Sequence, residues 1–361
     1  MRNHAWRCAL VALMVVAVGC ASPNDPRDPK GKTAGAPAST KRARVLVELA
    51  VAIEVEPSGQ RLRAWVPLPL DEPGQTVAVT SVKLEPARRH RTTRDSAGNA
   101  WLVVEVDAPG AQRLSLVLEV TRSAQAPDVG PGRTRPISPE DRRDHAPWLA
   151  SGTGIPLTDA TKDLAASIVA LESNPLVQAR KLLDWIVRTI GIREGDGPGD
   201  AARALELQTG TSADLACVLV ALARASGLPA RPCRGLAWDA APTGQGPLAV
   251  RETWWAEVFA PNVGWVPVDP ATAVRSRAAT PKDATVGLGV LDERRIAWGR
   301  GTEVRLDPAS ASPAPMGVAL AHAEVDGKPA VKVARQLVVR AIGDGKMPEQ
   351  PKTRPSGPAG R

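Results

Sequence analysis

TGTSADLACVLVALARASGLPAR, residues 209–231, is the stretch that decides the fold. Ser212 stands where a helix N-cap is expected, and Asp214 falls in the first turn, where its charge complements the helix dipole. Apolar residues then recur at helical spacing, namely Leu215, Leu219, Leu222 and Ala223. Gly227 and Pro229 end this pattern. The stretch therefore predicts a loop, an apolar helix and a turn into a strand.

The predicted helix and its turn resemble the core of the bacterial transglutaminase-like family, which has a papain-like fold. In that family a Gly-x-Cys element opens the helix, and an Arg-Ala-x-Gly-(Ile/Leu)-Pro-Ala-Arg run ends it. Residues 224–231 read RASGLPAR and match the run. Counting back along the helix puts the nucleophile position at Ser212, where the family has cysteine.

A second family element lies downstream. The family has a strand His-x-Trp-x-Glu-Val, then a turn and Gly-Trp-x-x-x-Asp-Pro. Residues 253–258 read TWWAEV and residues 264–270 read GWVPVDP, so the Trp, Glu, Gly-Trp and Asp-Pro positions all match. Thr253 takes the place of the histidine. The resemblance therefore implies that the Cys-His-Asp triad of the family becomes Ser212, Thr253 and Asp269 in this chain.

These replacements predict a loss of catalysis. A serine needs a base to remove its proton, and Thr253 cannot act as one near neutral pH. General-base assistance contributes about 10²–10⁴-fold to a rate. No histidine occurs between His145 and His322, and neither of these lies in a family motif. We therefore expect Ser212, Thr253 and Asp269 to be degenerate triad positions without activity.

The first 20 residues predict export as a bacterial lipoprotein. Arg2 and Arg7 precede an apolar run at residues 9–18, which is too short to span a bilayer. The run ends in a sequence that resembles a lipobox, so we expect Cys20 to carry the lipid. An ordinary secretory signal cleaved nearby is the alternative. Ala21 after Cys20 is typical of outer-membrane lipoproteins, which predicts a cell-envelope protein anchored in the outer membrane and facing the periplasm.

Cysteine usage leaves Cys217 and Cys233 in the mature protein, because Cys8 leaves with the signal and Cys20 carries the lipid. An exported pair could form one disulfide. The alternative is two small buried apolar residues. Cys217 lies five residues after Ser212, roughly 140° around the helix, so we expect it to point away from the nucleophile position.

The rest of the chain divides by composition. Alternating apolar runs separated by Pro/Gly turns predict a β-sandwich-like domain, and late apolar runs predict extra strands packed on the core. The expected fold class is α+β, a papain-like core of helices on an antiparallel sheet behind this β-domain. The expected segments are a signal peptide (1–20), a flexible tether (21–41), the β-domain (42–122), a connection (123–156), the core with its C-terminal strands (157–342) and a disordered tail (343–361).

Composition limits the functional classes. The chain has 361 residues and a formal charge of +8, with ten Trp, one Phe and no Tyr. Its basic residues are dispersed apart from a cluster at residues 88–94, which is typical of a solvated loop, and no nucleic-acid-binding motif supports a nucleic-acid partner. The glycine-rich loop at residues 193–200 lacks the spacing of a metal or phosphate site. We expect no metal and no cofactor.

Three functions stay open. The favoured hypothesis is a binding or scaffold lipoprotein, attached to the membrane by its lipid, with a groove for a peptide or cell-wall ligand. The groove candidates are Trp238, Trp254, Trp255 and Trp265, and core packing is their alternative role. A second hypothesis is an active hydrolase or acyltransferase on peptide or amide bonds that uses Ser212 or Cys217. The third is a structural spacer without a ligand.

Overall fold

The computed structural model describes residues 41–54, 61–85, 89–107, 111–239, 246–279, 286–313, 317–318, 320–330 and 332–342. The predicted signal peptide with Cys20, the tether up to residue 40 and the predicted tail lie outside these ranges. The strands are β1 (Arg42–Glu54), β2 (Arg61–Leu68), β3 (Gln75–Glu85), β4 (His90–Arg94), β5 (Ala100–Asp107), β6 (Gln112–Ser123), β7 (Gly191–Ile192), β8 (Thr209–Gly210), β9 (Ala230–Ala237), β10 (Arg251–Ala260), β11 (Gly264–Val268), β12 (Arg295–Arg300), β13 (His322–Val325), β14 (Lys328–Pro329) and β15 (Lys332–Ala341).

The helices are α1 (Pro139–Asp144), α2 (Asp159–Val169), α3 (Pro175–Thr189), α4 (Ala201–Leu207), α5 (Ser212–Ala225) and α6 (Pro270–Ala279). Among the residues described, none of the helices combines the length and the apolar composition needed to cross a membrane. The mixture of helices and antiparallel sheets confirms the predicted α+β class.

Two antiparallel sheets build the N-terminal part, with strand orders β15-β1-β6-β3 and β14-β13-β2-β5-β4. The alternation seen in the sequence of β1 buries Val47, Leu49 and Val51 on one face. These side chains share an apolar cluster with Val66 and Leu102 of the second sheet. The expectation of a strand-rich N-terminal region is confirmed.

The late strands differ from the prediction. We expected the runs after residue 294 to pack on the core, and β12 does join the core sheet beside β9. However, β13 pairs with β2, and β15 pairs with β1 from Val45 to Glu54. The free edge of β1 needs a hydrogen-bonding partner. A local alternation pattern predicts a strand without saying which strand it will join.

The core sheet has the order β11-β10-β9-β12, and α5 packs on β9 and β10. Helices α2, α3, α4 and α6 also contact α5. Every residue from Ser212 to Arg224 is buried. A helix that is apolar or small on every side is stable only when it is enclosed, so α5 forms the centre of the core.

The N-terminus of α5 lies one residue from its predicted place. Thr211 is the N-cap, because its Oγ1 accepts a hydrogen bond from the Asp214 N–H at 3.3 Å and the Asp214 carboxylate accepts one from the Thr211 N–H at 2.8 Å. This reciprocal pair is a capping box. Ser212 is therefore the first helical residue and not the cap. At the other end, Gly227 has φ +77°, which confirms the predicted stop.

A chain of buried ion pairs joins the N-terminal part to the core sheet. Glu72 accepts hydrogen bonds from Arg122 Nη1 at 2.9 Å and from Arg300 Nη2. Arg300 Nε lies 3.5 Å from Glu257 Oε2, which also accepts a 2.7 Å bond from Arg231 Nε. Charges this far from water are tolerated because each one has a partner.

Glu257 and Glu324 stay ionised in spite of burial because neighbouring groups lower the pKa of each carboxyl. Burial alone raises the pKa of Glu257, but Arg231 and Arg300 outweigh it and lower the pKa from 4.5 to about 2. Burial also opposes the charge of Glu324, but hydrogen bonds from Ser312 lower its pKa to about 2. Stability from both groups is present above the unfolded pKa and is lost as the pH falls from about 4.5 towards 2.

The first prediction concerns Glu72. Glu72→Gln should lower the free energy of unfolding by about 3–5 kcal/mol, because it leaves Arg122 and Arg300 short of countercharge in a buried place. The control is Glu54→Gln, whose pair with Lys332 is more than half exposed and should contribute about 0–1 kcal/mol. Urea unfolding at pH 7 measures both. Equal losses in the two variants would contradict a special role for the buried chain.

The second prediction concerns acid stability. The free energy of unfolding of the wild type should fall as the pH is lowered from 5 to 3, since protons then bind the unfolded chain in preference. Glu257→Gln should be less stable at pH 7 and should show a shallower fall, because the residue that responds to acid has gone. Urea unfolding at several pH values gives both slopes, and parallel curves would refute the assignment.

Candidate functional site

Ser212 lies against the backbone of β10. Its Oγ accepts a hydrogen bond from the Trp254 N–H at 3.3 Å, and the residue is 9% exposed. The structure therefore brings the predicted nucleophile position next to the strand that carries Thr253, the predicted histidine position. The two motifs meet in space as the family resemblance implies.

The side chains around this contact divide between the two faces of β10. Trp254 packs against Ala213 and Ala216 of α5, whereas Trp255 packs on the opposite face of the sheet. Strand alternation puts Thr253 on the face of Trp255. Thr253 is 5% exposed, so a threonine methyl and hydroxyl fill a closed position.

Asp269 is committed to other groups. Its Oδ2 accepts hydrogen bonds from Thr272 Oγ1 at 2.7 Å and from Arg295 Nη1 at 3.1 Å, and its Oδ1 accepts one from the Thr272 N–H at 2.9 Å. The carboxylate thus caps α6 and forms a buried ion pair with β12. No hydrogen bond joins Asp269 to Thr253. The pairing of Ala256 with Val268 places Thr253 and Asp269 two residues out of direct register.

The first turn of α5 also forms hydrogen bonds with a neighbouring loop. Besides capping the helix, Asp214 accepts hydrogen bonds from Arg193 Nη2 at 3.0 Å and from the Asp200 N–H at 2.9 Å. These bonds fasten the loop at residues 193–200 over the helix start. The Asp214 carboxylate thus lies at the positive end of the helix dipole, where a negative charge is favourable.

The two cysteines are buried and unpaired with each other. Burial raises the pKa of Cys217 to about 12 and raises that of Cys233 well above its ordinary value, so both are neutral thiols. A Cβ on Gly199 would stand 2.6 Å from the Cys217 sulfur, so the loop backbone lies directly on the thiol. Both cysteines therefore pack as small apolar residues, one of the two alternatives that the sequence left open.

His145 and His322, the two histidines that flank the family motifs, have structural contacts. His145 stacks on Phe259 at 3.9 Å between ring centroids and its Nδ1 lies 2.9 Å from the carbonyl oxygen of Asp141. His322 Nε2 lies 3.2 Å from Glu324 Oε1 and 3.3 Å from Ser312 Oγ. A proton relay from serine to carboxylate needs both imidazole nitrogens. Here the two groups share one nitrogen, so this cluster cannot form a triad.

Glu252 is a buried carboxylate that the sequence analysis did not single out. It lies two residues before Trp254 on the same strand face, and burial raises its pKa. Its Oε1 accepts a hydrogen bond from the Val318 N–H at 3.3 Å, and no hydrogen bond joins it to Ser212. The contacts of Glu252 in the described chain are thus with Val318 and Trp254 and not with Ser212.

Three of the four tryptophans expected at a groove belong to the interior. Trp238, Trp254 and Trp255 are at most 5% exposed and pack in apolar clusters, so they do not line a groove. Trp265 is half-buried and lines a cleft. Trp148 lines the same cleft. The sequence could not identify it, because the connection in which it lies has no helical or strand periodicity.

We call this space the arginine cleft. It has a volume of about 1000 Å³ and is lined by residues 94–97, by residues within 143–152 and 301–307, and by Arg224, Arg231 and Trp265. Arg224 lies in the last turn of α5 and Ser212 at its start. The two residues are twelve positions apart along the helix, which corresponds to a rise of about 18 Å. The cleft is thus distant from the triad positions.

Arg231 forms one wall of the arginine cleft. Its guanidinium carbon lies 3.9 Å from the ring centroid of Trp265 and 5.6 Å from that of Trp148, and its Nε donates to Glu257. The two indole rings meet edge to face at 6.1 Å. Within the described part of the chain, the terminal nitrogens of Arg231 have no hydrogen-bond partner.

Arg224 is more deeply buried, at 7% exposure. Its Nε donates to the carbonyl oxygen of Ala230 at 2.9 Å and its Nη1 to that of Ala150 at 2.6 Å. No carboxylate of the described residues lies within ion-pair distance, and Nη2 has no partner there. Burial lowers the pKa of Arg224 to about 10, so it stays charged at neutral pH. No group of three or more metal-binding side chains occurs in the described ranges.

Comparison with known proteins adds to this geometry. A model of the transglutaminase-like superfamily matches residues 162–270, which include Ser212, Thr253 and Asp269. An uncharacterised protein of Haemophilus influenzae is 26% identical over 244 residues, which cover 60% of this chain and 66% of that protein. The chain therefore spans slightly less than two thirds of this relative's length.

Similar solved structures include a cysteine protease candidate from Cytophaga hutchinsonii, at a TM-score of 0.53 and 14% identity, covering 86% of this chain and 94% of that one. The periplasmic domain of TgpA from Pseudomonas aeruginosa gives a TM-score of 0.34 at 16% identity, over 68% of this chain and 91% of that one. Together with the superfamily match, the first of these structures identifies the fold: this chain carries a transglutaminase-like domain of papain-like fold.

Proposed function

We propose that this chain is an exported lipoprotein whose transglutaminase-like domain is catalytically inactive and serves as a binding module for peptide or cell-wall ligands. The observation that carries the proposal is the state of Asp269. Its carboxylate is held by Thr272 and by buried Arg295, and the residue at the histidine position is Thr253. The Asp269 carboxylate therefore stabilises the fold and is not placed to orient a catalytic base.

The chemistry of acyl transfer supports the same conclusion. A hydroxyl nucleophile needs a neighbouring base, and the base needs a group that orients it. Ser212 contacts a backbone N–H instead of a base. Cys217 is fully buried, neutral and covered by the loop at Gly199. Nucleophile, base and orienting carboxylate are therefore all replaced or engaged elsewhere.

The proposed location rests on the sequence. A basic start, a short apolar run and the lipobox-like residues before Cys20 support export and lipid attachment. Binding as the remaining task rests on the arginine cleft, which presents charged and aromatic side chains away from the triad positions.

The third prediction tests inactivity directly. The purified mature protein, which has lost Cys8 with the signal and carries lipid on Cys20, should show no adduct by intact-mass analysis after native treatment with serine-directed and thiol-directed electrophiles, because Ser212 lacks a base and Cys217 is closed off. Ser212→Ala and Cys217→Ala are the matched variants. Unfolded protein should react at its thiols and shows that the reagents work.

Two results would count against this prediction. An adduct on the wild type that disappears in Ser212→Ala would show a reactive serine, and the proposal of inactivity would be wrong. An adduct that disappears in Cys217→Ala would show an accessible thiol, contrary to its buried place.

The fourth prediction assigns Asp269 a structural role. Asp269→Asn should lower the free energy of unfolding by about 3–5 kcal/mol, because it leaves Arg295 charged and buried with a weaker partner. Asp292→Asn is the matched control, since Asp292 also contacts Arg295, at 3.4 Å, but is 38% exposed. It should contribute about 0–1 kcal/mol. Urea unfolding measures the free energy of unfolding of both variants. Equal losses would contradict the assignment.

A further inference from the structure

We propose that the arginine cleft binds a peptide through a free carboxylate, which Arg224 and Arg231 hold together. The inference rests on the proposed function, since it names the ligand class and the place of binding for a domain that does not react. The cleft lies at the end of α5 opposite to Ser212, so it is a separate site from the triad positions.

The two arginines present donors that the fold leaves unused. Arg224 and Arg231 flank the turn between α5 and β9, and both line the cleft. Arg231 is fixed by Glu257 and by the ring of Trp265, and Arg224 by two backbone carbonyls. Their remaining nitrogens point to no acceptor among the described residues. Planar guanidinium groups held in this way match the geometry of a carboxylate.

The charge of Arg224 calls for a counterion. The carboxylate that acts on it from the cleft wall is Glu303, which is half exposed and lies 3.7 Å from Arg305. A buried charge without a close partner is unfavourable. A ligand carboxylate beside Arg224 would supply that partner. Binding would therefore offset the unfavourable burial of the Arg224 charge.

The remaining walls favour a peptide over a polyanion. The acidic side chains of these walls alternate with basic ones, namely Asp95, Asp144, Glu303 and Asp307 with Arg94, Arg143 and Arg305. Repeated phosphates would be repelled by the acidic side chains, whereas a peptide with one carboxylate and neutral amides would meet less repulsion. Trp148 offers an apolar ring for a ligand side chain. The volume is at the upper end of the range for binding pockets, about 300–1,000 Å³.

Calorimetric titration of the full-length protein tests the proposal. The probes are acetyl-Ala-Ala-Ala with a free carboxylate, the same peptide as its carboxamide, and inorganic phosphate. We expect saturable binding of the carboxylate peptide at least about tenfold tighter than that of the carboxamide or of phosphate. Equal binding of the carboxamide, tighter binding of phosphate, or no saturable binding of the carboxylate peptide would overturn the proposal.

Variants separate the cleft from general electrostatics. Arg224→Lys keeps the charge but loses the planar group, and should weaken the carboxylate peptide at least about tenfold. Glu303→Gln changes an exposed side chain and should strengthen carboxylate binding without affecting the carboxamide, which tests the site even if Arg224→Lys fails to fold. Arg203→Gln, on the exposed face of α4, is the control and should change nothing. An unchanged affinity in both cleft variants would refute the assignment.

The test is independent of the labelling test. Failure of peptide binding with no adduct at Ser212 would reject the cleft and leave the domain inactive. An adduct at Ser212 would reject inactivity, whatever the arginine cleft binds.

Discussion

Burial of α5 from Ser212 to Arg224 is the constraint on which the rest of the structure depends. A helix with so little contact with water must satisfy most of its terminal N–H and C=O groups within the protein. At its start Thr211 Oγ1 accepts a hydrogen bond from the Asp214 N–H, and at its end the Leu228 N–H donates to the carbonyl oxygen of Ala223 at 2.9 Å. The Asp214 carboxylate also binds the Asp200 N–H, and Ser212 Oγ binds the Trp254 N–H, so the helix start is joined to a neighbouring loop and strand.

Buried ion pairs also hold parts of this protein together. Glu72, Arg300, Glu257 and Arg231 run in series from the N-terminal sheets to the core sheet. Asp269 and Arg295 form a similar pair where α6 meets β12. Removal of one member leaves its neighbours buried with less countercharge, so the residues form a unit. Arg224, by contrast, is buried without such a neighbour, which is why the arginine cleft differs from the rest of the interior.

Local elements of the core could be predicted from the sequence, and their partners could not. Helical spacing and the Gly227 stop located α5, and two spaced motifs located β10 and β11. Thr211 and Ser212 are adjacent hydroxyls, so pattern alone could not say which one caps the helix. The partner of Asp269, Arg295, comes from a strand 26 residues later. Trp254 and Trp255 point to opposite faces of the core sheet. Both are buried because both faces are packed against other elements, which the local sequence does not reveal.

Pairing of β1 with β15 sets the order in which the N-terminal sheets can close. Val45 lies opposite Ala341, so the first described strand lacks one neighbour until the last described strand has been made. Nearly all of the described chain lies between these two strands, so the two ends of that chain must be brought together before the pair can form. Until then one edge of β1 is open to other chains. The topology thus makes completion of this N-terminal sheet depend on the longest-range strand pairing in the described chain.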